Sequence, residues 1–142
     1  MCAAEMKMPG MASELIMDLR GTLEWLKQEG DLMETDHPVD PDIELTAIQK
    51  NMDGSCPILF NNVKGKPNHR AVTNLFGDMN VVNKMFGWAD DVDRTKKLSY
   101  ALDHPLPPVE IGQEEAPCQE VVIEDPVNVN DYIIPIRHTE YE

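Results

Sequence analysis

The feature that most limits how this chain can fold is a stretch from His104 to Pro117 that is rich in proline and glutamate. Proline fixes φ and has no amide hydrogen to donate, so it interrupts both helices and sheet ladders. The stretch therefore predicts an extended, solvated connector at residues 104–117. We expect an α/β domain before it, at residues 18–103, and a further segment after it, at residues 118–142.

Helical and strand patterns alternate before the connector. Leu19, Leu23 and Leu26 recur at helical spacing, and Asp18 and Gly30 are suited to begin and end a helix between them. A short strand is expected at residues 32–35. A second helix is predicted from Asp40-Pro41 to about residue 52, because an acidic cap followed by proline is typical of a helix start.

Two β-rich segments follow, at residues 57–63 and 70–75, and the turn at residues 64–67 predicts that they pair as a hairpin. Helices are expected at residues 80–86 and from Asp90 or Asp91 to about residue 102. After the connector, residues 120–124 favour a final strand, and residues 131–136 form a short apolar segment broken by Pro135. This order of elements predicts an α/β (α+β) fold, a small mixed sheet with flanking helices.

Composition excludes several classes of protein. The formal charge of −14 disfavours binding to nucleic acid or to an anionic membrane, since both require clustered basic residues. An apolar fraction of 42% is enough for a core, and no apolar run reaches the roughly 20 residues of a membrane helix. The methionine-rich residues 1–17 are interpreted as a disordered extension. Three widely spaced cysteines, Cys2, Cys56 and Cys118, suggest neither a disulfide framework nor a zinc site, and favour the cytoplasm.

Five motifs occur in an order that resembles the N-terminal domain of the UbiD family. The segments are residues 18–32, with Asp-Leu-Arg at the start and Gly-Asp-Leu at the end; Phe60–Gly65; Asn74–Gly77; Ala116–Val122; and Asp131–Ile136. Isoleucine replaces leucine in the last motif, which is a mild departure. Each motif alone is weak, whereas five in sequence are informative, and the resemblance extends from Asp18 to Glu142.

The resemblance implies a carboxy-lyase that acts reversibly on aromatic or unsaturated carboxylic acids. Family members use prenylated flavin mononucleotide with a divalent metal (manganese or magnesium) and potassium, and the flavin serves as an electron sink. The family's catalytic and metal-binding residues belong to a cofactor domain that follows the last motif. The resemblance therefore assigns no catalytic, cofactor-binding or metal-binding residue to this chain, and we expect it to bind no cofactor and to be inactive by itself.

An alternative remains open: the chain is a non-catalytic small subunit or interaction module that docks on a separate UbiD-type catalytic chain. In either case the expected partners are the cofactor-binding and C-terminal domains of such an enzyme, on this or another chain, and the complete enzyme is expected to form a homo-oligomer. An apolar surface patch would be expected where the cofactor domain packs. The sequence specifies neither the substrate nor the direction of the reaction.

Four polar clusters are candidate sites. The tail residues Arg137, His138, Glu140 and Glu142 resemble an acid/base or metal set, but a polar chain end explains them more simply. Asp36, His37, Asp40 and Asp42 offer metal ligands, and a helix cap with a turn accounts for them. Asp90, Asp91 and Asp93 lack the glycine and glutamate of a calcium loop and suit a helix start. Lys64-Gly65-Lys66 lacks the frame of a phosphate loop and suits a hairpin turn.

The remaining reactive and aromatic residues are also interpreted structurally. Cys56 and Cys118 have no neighbouring histidine or lysine pattern to activate a thiolate. Trp25, Phe86 and Trp88 are expected in the core or at a docking surface.

Overall fold

The structure is a computed structural model that describes residues 18–124 and 126–138. The proposed extension at residues 1–17, and Cys2, Glu140 and Glu142, lie outside these residues. The elements, in order, are α1 (Leu19–Glu29), β1 (Met33–Thr35), α2 (Glu44–Asn51), β2 (Ile58–Phe60), β3 (Ala71–Thr73), α3 (Met79–Met85) and α4 (Asp91–Asp103), followed by three short 3₁₀ turns at Gln113–Glu115, Pro117–Gln119 and Val129–Asp131.

The three strands form one mixed sheet in the order β1-β2-β3. β1 runs parallel to β2, and β2 and β3 are antiparallel, with Leu59 paired to Glu34 on one side and to Val72 on the other. The predicted fold class and the predicted hairpin are therefore confirmed. β2 is buried along its whole length, as expected of a central strand that is covered on both faces.

Apolar side chains form two clusters. The first core cluster joins the sheet to α2 and consists of Val39, Leu45, Ile58, Phe60 and Val63. The second lies between α1 and α3 and consists of Trp25, Leu26, Val81 and Met85. Leu26 and Leu45 are fully buried, and burial of a leucine side chain contributes about 1.5–3 kcal/mol.

Local sequence signals explain α1 and its attachment to α3. The Asp18 carboxylate accepts a hydrogen bond from the Gly21 amide at 2.7 Å, and Gly30 ends the helix at φ +77°. Lys84 of α3 forms ion pairs with Glu29 and Asp31 at 3.1 and 2.7 Å. Burial lowers the pKa of Lys84, but its hydrogen bonds to these two carboxylates outweigh burial and raise the pKa above its usual value.

Two predicted elements differ in the structure. The second helix begins at Glu44 and not at Asp40-Pro41, because a turn centred on Ile43 precedes it. The predicted strand at residues 120–124 is wrong, since these residues pair with no other strand in the part of the chain that the structure describes, and their apolar side chains are exposed. β-Branched residues favour a strand only when a neighbouring strand is available to them.

The chain after α4 takes an extended course with few contacts until it returns to the domain. Ile134 packs against the first core cluster, and the ammonium group of Lys66 donates a hydrogen bond to the Asn130 carbonyl. In the described part of the chain, no helix is long and apolar enough to cross a membrane.

Candidate functional site

The structure joins two of the polar clusters that the sequence left apart. Arg137 forms a two-point ion pair with Asp42, with Nε–Oδ1 at 2.5 Å and Nη2–Oδ2 at 2.8 Å. The Arg137 amide donates to the Pro41 carbonyl, and the Arg137 carbonyl accepts from the Ile43 amide, both at 3.2 Å, and from the Thr46 hydroxyl at 3.3 Å. We call this arrangement of Pro41, Asp42, Ile43, Thr46 and Arg137 the tail clasp.

The tail clasp includes a strained turn. Ile43 has φ +69° and ψ −44°, and the Glu44 amide donates to the Asp42 carbonyl across it at 2.8 Å, which defines a γ-turn. This form of the γ-turn is rare and unfavourable for a β-branched residue. Such strain persists where surrounding contacts enforce it, and here the Arg137 backbone bonds on both sides of the turn.

Hydrogen bonds to Glu44 complete the start of α2. Its carboxylate accepts from the Asp40 amide at 2.7 Å and from the Lys64 ammonium group at 3.3 Å. The backbone hydrogen bond is the larger cause, and the Lys64 bond the next, of a pKa for Glu44 below its usual value. The Asp40 carboxylate accepts from the Asp42 amide at 2.9 Å. Asp40 therefore shapes the turn, and Asp42 binds the tail instead of lying in the first turn of α2.

The other sequence candidates have structural roles. Asp36 accepts from the Asn61 side chain at 3.1 Å, and Asp90 caps α4 by accepting from the Asp93 amide at 2.8 Å, as predicted. Gly65 adopts φ +75° within the turn between β2 and β3. Within the described residues, no group of three or more histidine, cysteine or acidic side chains is placed to hold a metal ion.

The aromatic and cysteine candidates divide between core and surface. Trp25 is buried in the second cluster, as predicted, whereas Phe86 is 49% exposed and stacks on Trp88 with ring centroids 4.7 Å apart. Cys56 is partly buried and Cys118 is exposed. Since Phe86 and Trp88 stack on each other, this pair is not arranged to hold a flavin ring between them.

Many apolar side chains are exposed along α4 and among residues 106–124 and 126–136. No residue of α4 is buried. Leu98, Leu102 and Leu106 are 47%, 82% and 92% exposed. Further exposed apolar side chains in these segments are Val92, Val109, Ile111, Val121, Val122, Ile123, Val127, Val129, Ile133 and Ile136. Where such side chains form a patch, they are characteristic of a region that packs against another domain or chain.

A groove that the sequence analysis did not predict lies between α1 and the sheet. Two adjoining cavities share Arg20, Leu23, Leu59 and Arg70 as lining residues. The two arginines are far apart in sequence and belong to no charged cluster, so only the packing of α1 on the sheet brings them together. The one sequence signal for them was the Asp-Leu-Arg motif that contains Arg20.

Comparison with known proteins identifies the class of this fold. Residues 23–102 match the family model of the 3-octaprenyl-4-hydroxybenzoate carboxy-lyase N-terminal domain, UbiD_N. The chain belongs to this family, as the five motifs indicated. It is 32% identical over 133 residues to the phenolic acid decarboxylase of Sedimentibacter hydroxybenzoicus, covering 87% of this chain and 27% of that protein.

Further relatives are consistent with this family. The chain is 32% identical over 116 residues to the gallate decarboxylase of Lactiplantibacillus plantarum, covering 74% of this chain and 24% of that protein. It resembles the closed form of the vanillic acid decarboxylase of S. hydroxybenzoicus with a TM-score of 0.74 at 29% identity, covering 87% of this chain and 27% of the other. An evolved dimeric form of the UbiD-class enzyme HmfF from Pelotomaculum thermopropionicum, in complex with prFMN, gives a TM-score of 0.74 at 28% identity over 84% of this chain and 28% of that chain. The chain thus spans about a quarter of the length of these relatives.

Proposed function

We propose that this chain is the N-terminal part of a UbiD-type carboxy-lyase that acts reversibly on an aromatic or unsaturated carboxylic acid, and that the chain carries no catalytic residue itself. The observation that carries the proposal is the match of 87% of the chain to 27% of a phenolic acid decarboxylase. The exposed apolar side chains of α4 and of residues 106–124 and 126–136 support it, because a supporting domain needs apolar surface to pack against a catalytic one.

The proposal extends to cofactor, assembly and location. Complexes of HmfF with prFMN and with FMN support a flavin in the complete enzyme. A divalent metal and potassium are proposed from the family resemblance, with ligands from the cofactor domain. A homo-oligomeric complete enzyme and a cytoplasmic location are proposed likewise, the latter from the wide spacing of the cysteines. The division into a domain at residues 18–103 and a connector at residues 104–117 is also part of the proposal.

A decarboxylation assay tests the assignment. The 142-residue chain is incubated with prenylated FMN, manganese, potassium and a panel of phenolic acids, and carbon dioxide release is measured. We expect no turnover by the chain alone and turnover once a UbiD-type cofactor domain and C-terminal domain are supplied on the same or a second chain. Turnover by the chain alone would contradict the absence of catalytic residues, and an inactive complete protein on every acid tested would contradict the carboxy-lyase assignment.

Two measurements distinguish a domain from a separate small subunit. Reading the encoding DNA beyond the codon for Glu142 shows whether a cofactor domain continues in the same frame. If it does not, co-purification with a UbiD-type catalytic chain, followed by light scattering on a sizing column, is expected to give a stable complex. A chain that remains a clean monomer in the presence of such a partner would contradict the docking alternative.

A further inference from the structure

The groove between α1 and the sheet has an apolar floor. Leu59 and Val72 are paired in register on β2 and β3, and they point to the opposite face of the sheet from Ile58 and Phe60 because side chains alternate along a strand. Leu59 is only 4% exposed, although it belongs to neither core cluster. Leu23 of α1 forms the adjacent wall, and the larger of the two cavities has a volume of about 540 Å³.

Two arginines, Arg20 and Arg70, line both cavities beside this floor. Within the described residues, neither Arg20 nor Arg70 forms a hydrogen bond or an ion pair, and both side chains are exposed. This is unusual in a chain with 26 acidic and 12 basic residues. A guanidinium group whose hydrogen-bond donors are unused is suited to bind a carboxylate through two parallel hydrogen bonds.

The acidic residues at the groove are already engaged. Glu34 pairs with Lys27 at 2.8 Å, and this hydrogen bond is the largest cause of a lowered pKa for Glu34. Asp18 caps α1, and Glu24 accepts a hydrogen bond from Gln28 at 3.2 Å. The two cavities are lined by three basic side chains, Arg20, Lys27 and Arg70, and by three acidic ones, Asp18, Glu24 and Glu34. Arg70 lies close enough to Glu34 to contribute to its lowered pKa, after the hydrogen bonds from Lys27 and Asn61. A compact anion can contact the two guanidinium groups alone, whereas a long acidic peptide would also meet these like-charged carboxylates.

A polar atom at the same groove lacks a partner. His69 lines the larger cavity, and its Nδ1 is buried without a hydrogen-bond partner among the described residues. Buried polar atoms are normally satisfied by protein, water or ligand. His69 is therefore a second polar feature of this cavity besides the two arginines.

We propose that this groove binds a small organic acid, with the carboxylate held between Arg20 and Arg70 and the apolar body against Leu23, Leu59 and Val72. The site is distinct from the tail clasp, and it rests on the groove alone and not on the proposed carboxy-lyase function. Burial of a few apolar atoms and one charge-assisted contact predicts binding in the millimolar range or somewhat tighter.

Three probes test the two halves of the proposal. Benzoate carries both a charge and an apolar body, benzamide keeps the ring without the charge, and acetate keeps the charge without the ring. Each is titrated into the 142-residue chain, and amide and methyl chemical shifts are followed by nuclear magnetic resonance. We expect saturable shifts with benzoate, centred on Leu23, Leu59 and Val72, and affinities at least several-fold weaker for benzamide and acetate.

Variants localise the binding. Arg20→Gln and Arg70→Gln each remove one guanidinium group that forms no hydrogen bond or ion pair within the described residues, so we expect the fold to persist. Benzoate affinity should fall about tenfold in each variant. Lys96→Gln on α4 removes the same charge away from the groove and should leave the affinity unchanged. Absence of saturable benzoate shifts, equal affinity for benzamide, or equal losses in Lys96→Gln would overturn the proposal, and so would unchanged binding in both arginine variants.

Discussion

Asn74 adopts a left-handed conformation, with φ +56°, directly after β3. Its side-chain amide donates to the carbonyls of Gln49 and Met52 at 3.2 and 2.8 Å, so it satisfies carbonyl groups at the end of α2. Asparagine tolerates this backbone region better than other residues with a Cβ atom. These two roles explain why asparagine occupies the first position of the Asn-Leu-Phe-Gly motif.

Two substitutions of Asn74 separate the contribution of its side-chain hydrogen bonds from that of its left-handed backbone conformation. Asn74→Ala loses both hydrogen bonds and places a Cβ residue without a polar side chain at positive φ, so we expect a loss of about 2–4 kcal/mol in the free energy of unfolding. Asn74→Gly loses the hydrogen bonds but accepts positive φ, so its loss should be smaller. Urea denaturation followed by circular dichroism measures both, and an equal loss in the two variants would contradict the backbone contribution.

Glu44 makes stability depend on pH. Its folded pKa is lowered, so its contribution is present above the unfolded pKa, near 4.5, and is lost as the pH falls through the lower folded value. We expect the urea midpoint of the native chain to fall more steeply below pH 4.5 than that of Glu44→Gln. Because the Asp40 amide is the first cause, Lys64→Gln should retain part of the lowered pKa, as measured by carboxyl chemical shifts. Titration of Glu44 at its ordinary pKa would contradict this account.

At the scale of elements, helices α1 and α4 differ in what they bury. Three residues of α1 are buried, including Leu26, which is fully buried, whereas none in α4 is. α4 is defined by its cap at Asp90 and by the ion pairs Arg94–Asp91 and Lys97–Asp93, at 2.9 and 2.8 Å. Exposed helical ion pairs of this type contribute only about 0.3–0.5 kcal/mol each. The apolar residues of α4 thus contribute little to the stability of this chain by itself.

A pair of leucine substitutions tests this difference. Leu26→Ala is expected to lower the free energy of unfolding by about 2–5 kcal/mol, since it leaves a cavity in a packed core. Leu98→Ala on α4 removes the same atoms from a half-exposed position and should cost less than about 1 kcal/mol. The same Leu98→Ala variant should weaken association with a cofactor domain. If Leu98→Ala caused a large loss of stability in the free chain, α4 would already be packed against the rest of this chain.

The sequence predicted those elements whose signals are local. Asp18 and Gly30 bound α1, and Asp90 starts α4, because each cap acts on neighbours within a few residues. The start of α2 was misplaced because its turn depends on Arg137, 95 residues beyond Asp42. The strand at residues 120–124 failed because strand formation needs a partner. The groove escaped prediction because Arg20 and Arg70 meet only after α1 packs on the sheet.

For the whole molecule, the proposed division predicts where a protease will act first. A glutamate-specific protease should cleave rapidly after Glu110, Glu114 and Glu115, which lie in an exposed stretch with few backbone hydrogen bonds. Glu29 and Glu44 lie in ordered helices and serve as internal controls. Mass spectrometry of a time course is expected to show an early fragment that ends in the connector. Cleavage at Glu29 or Glu44 at a similar rate would contradict the boundary at residue 103.

The tail clasp also has a consequence for biosynthesis. Asp42 leaves the ribosome 95 residues before Arg137, which at about 5–20 residues per second is a delay of roughly 5–19 s. The sheet and the helices before the connector are synthesised during that interval, while the γ-turn at Ile43 still lacks the backbone that holds it. We therefore expect the nascent domain to pass through a stage in which the start of α2 is relaxed. Only the arrival of Arg137 fixes this part of the molecule in its final form.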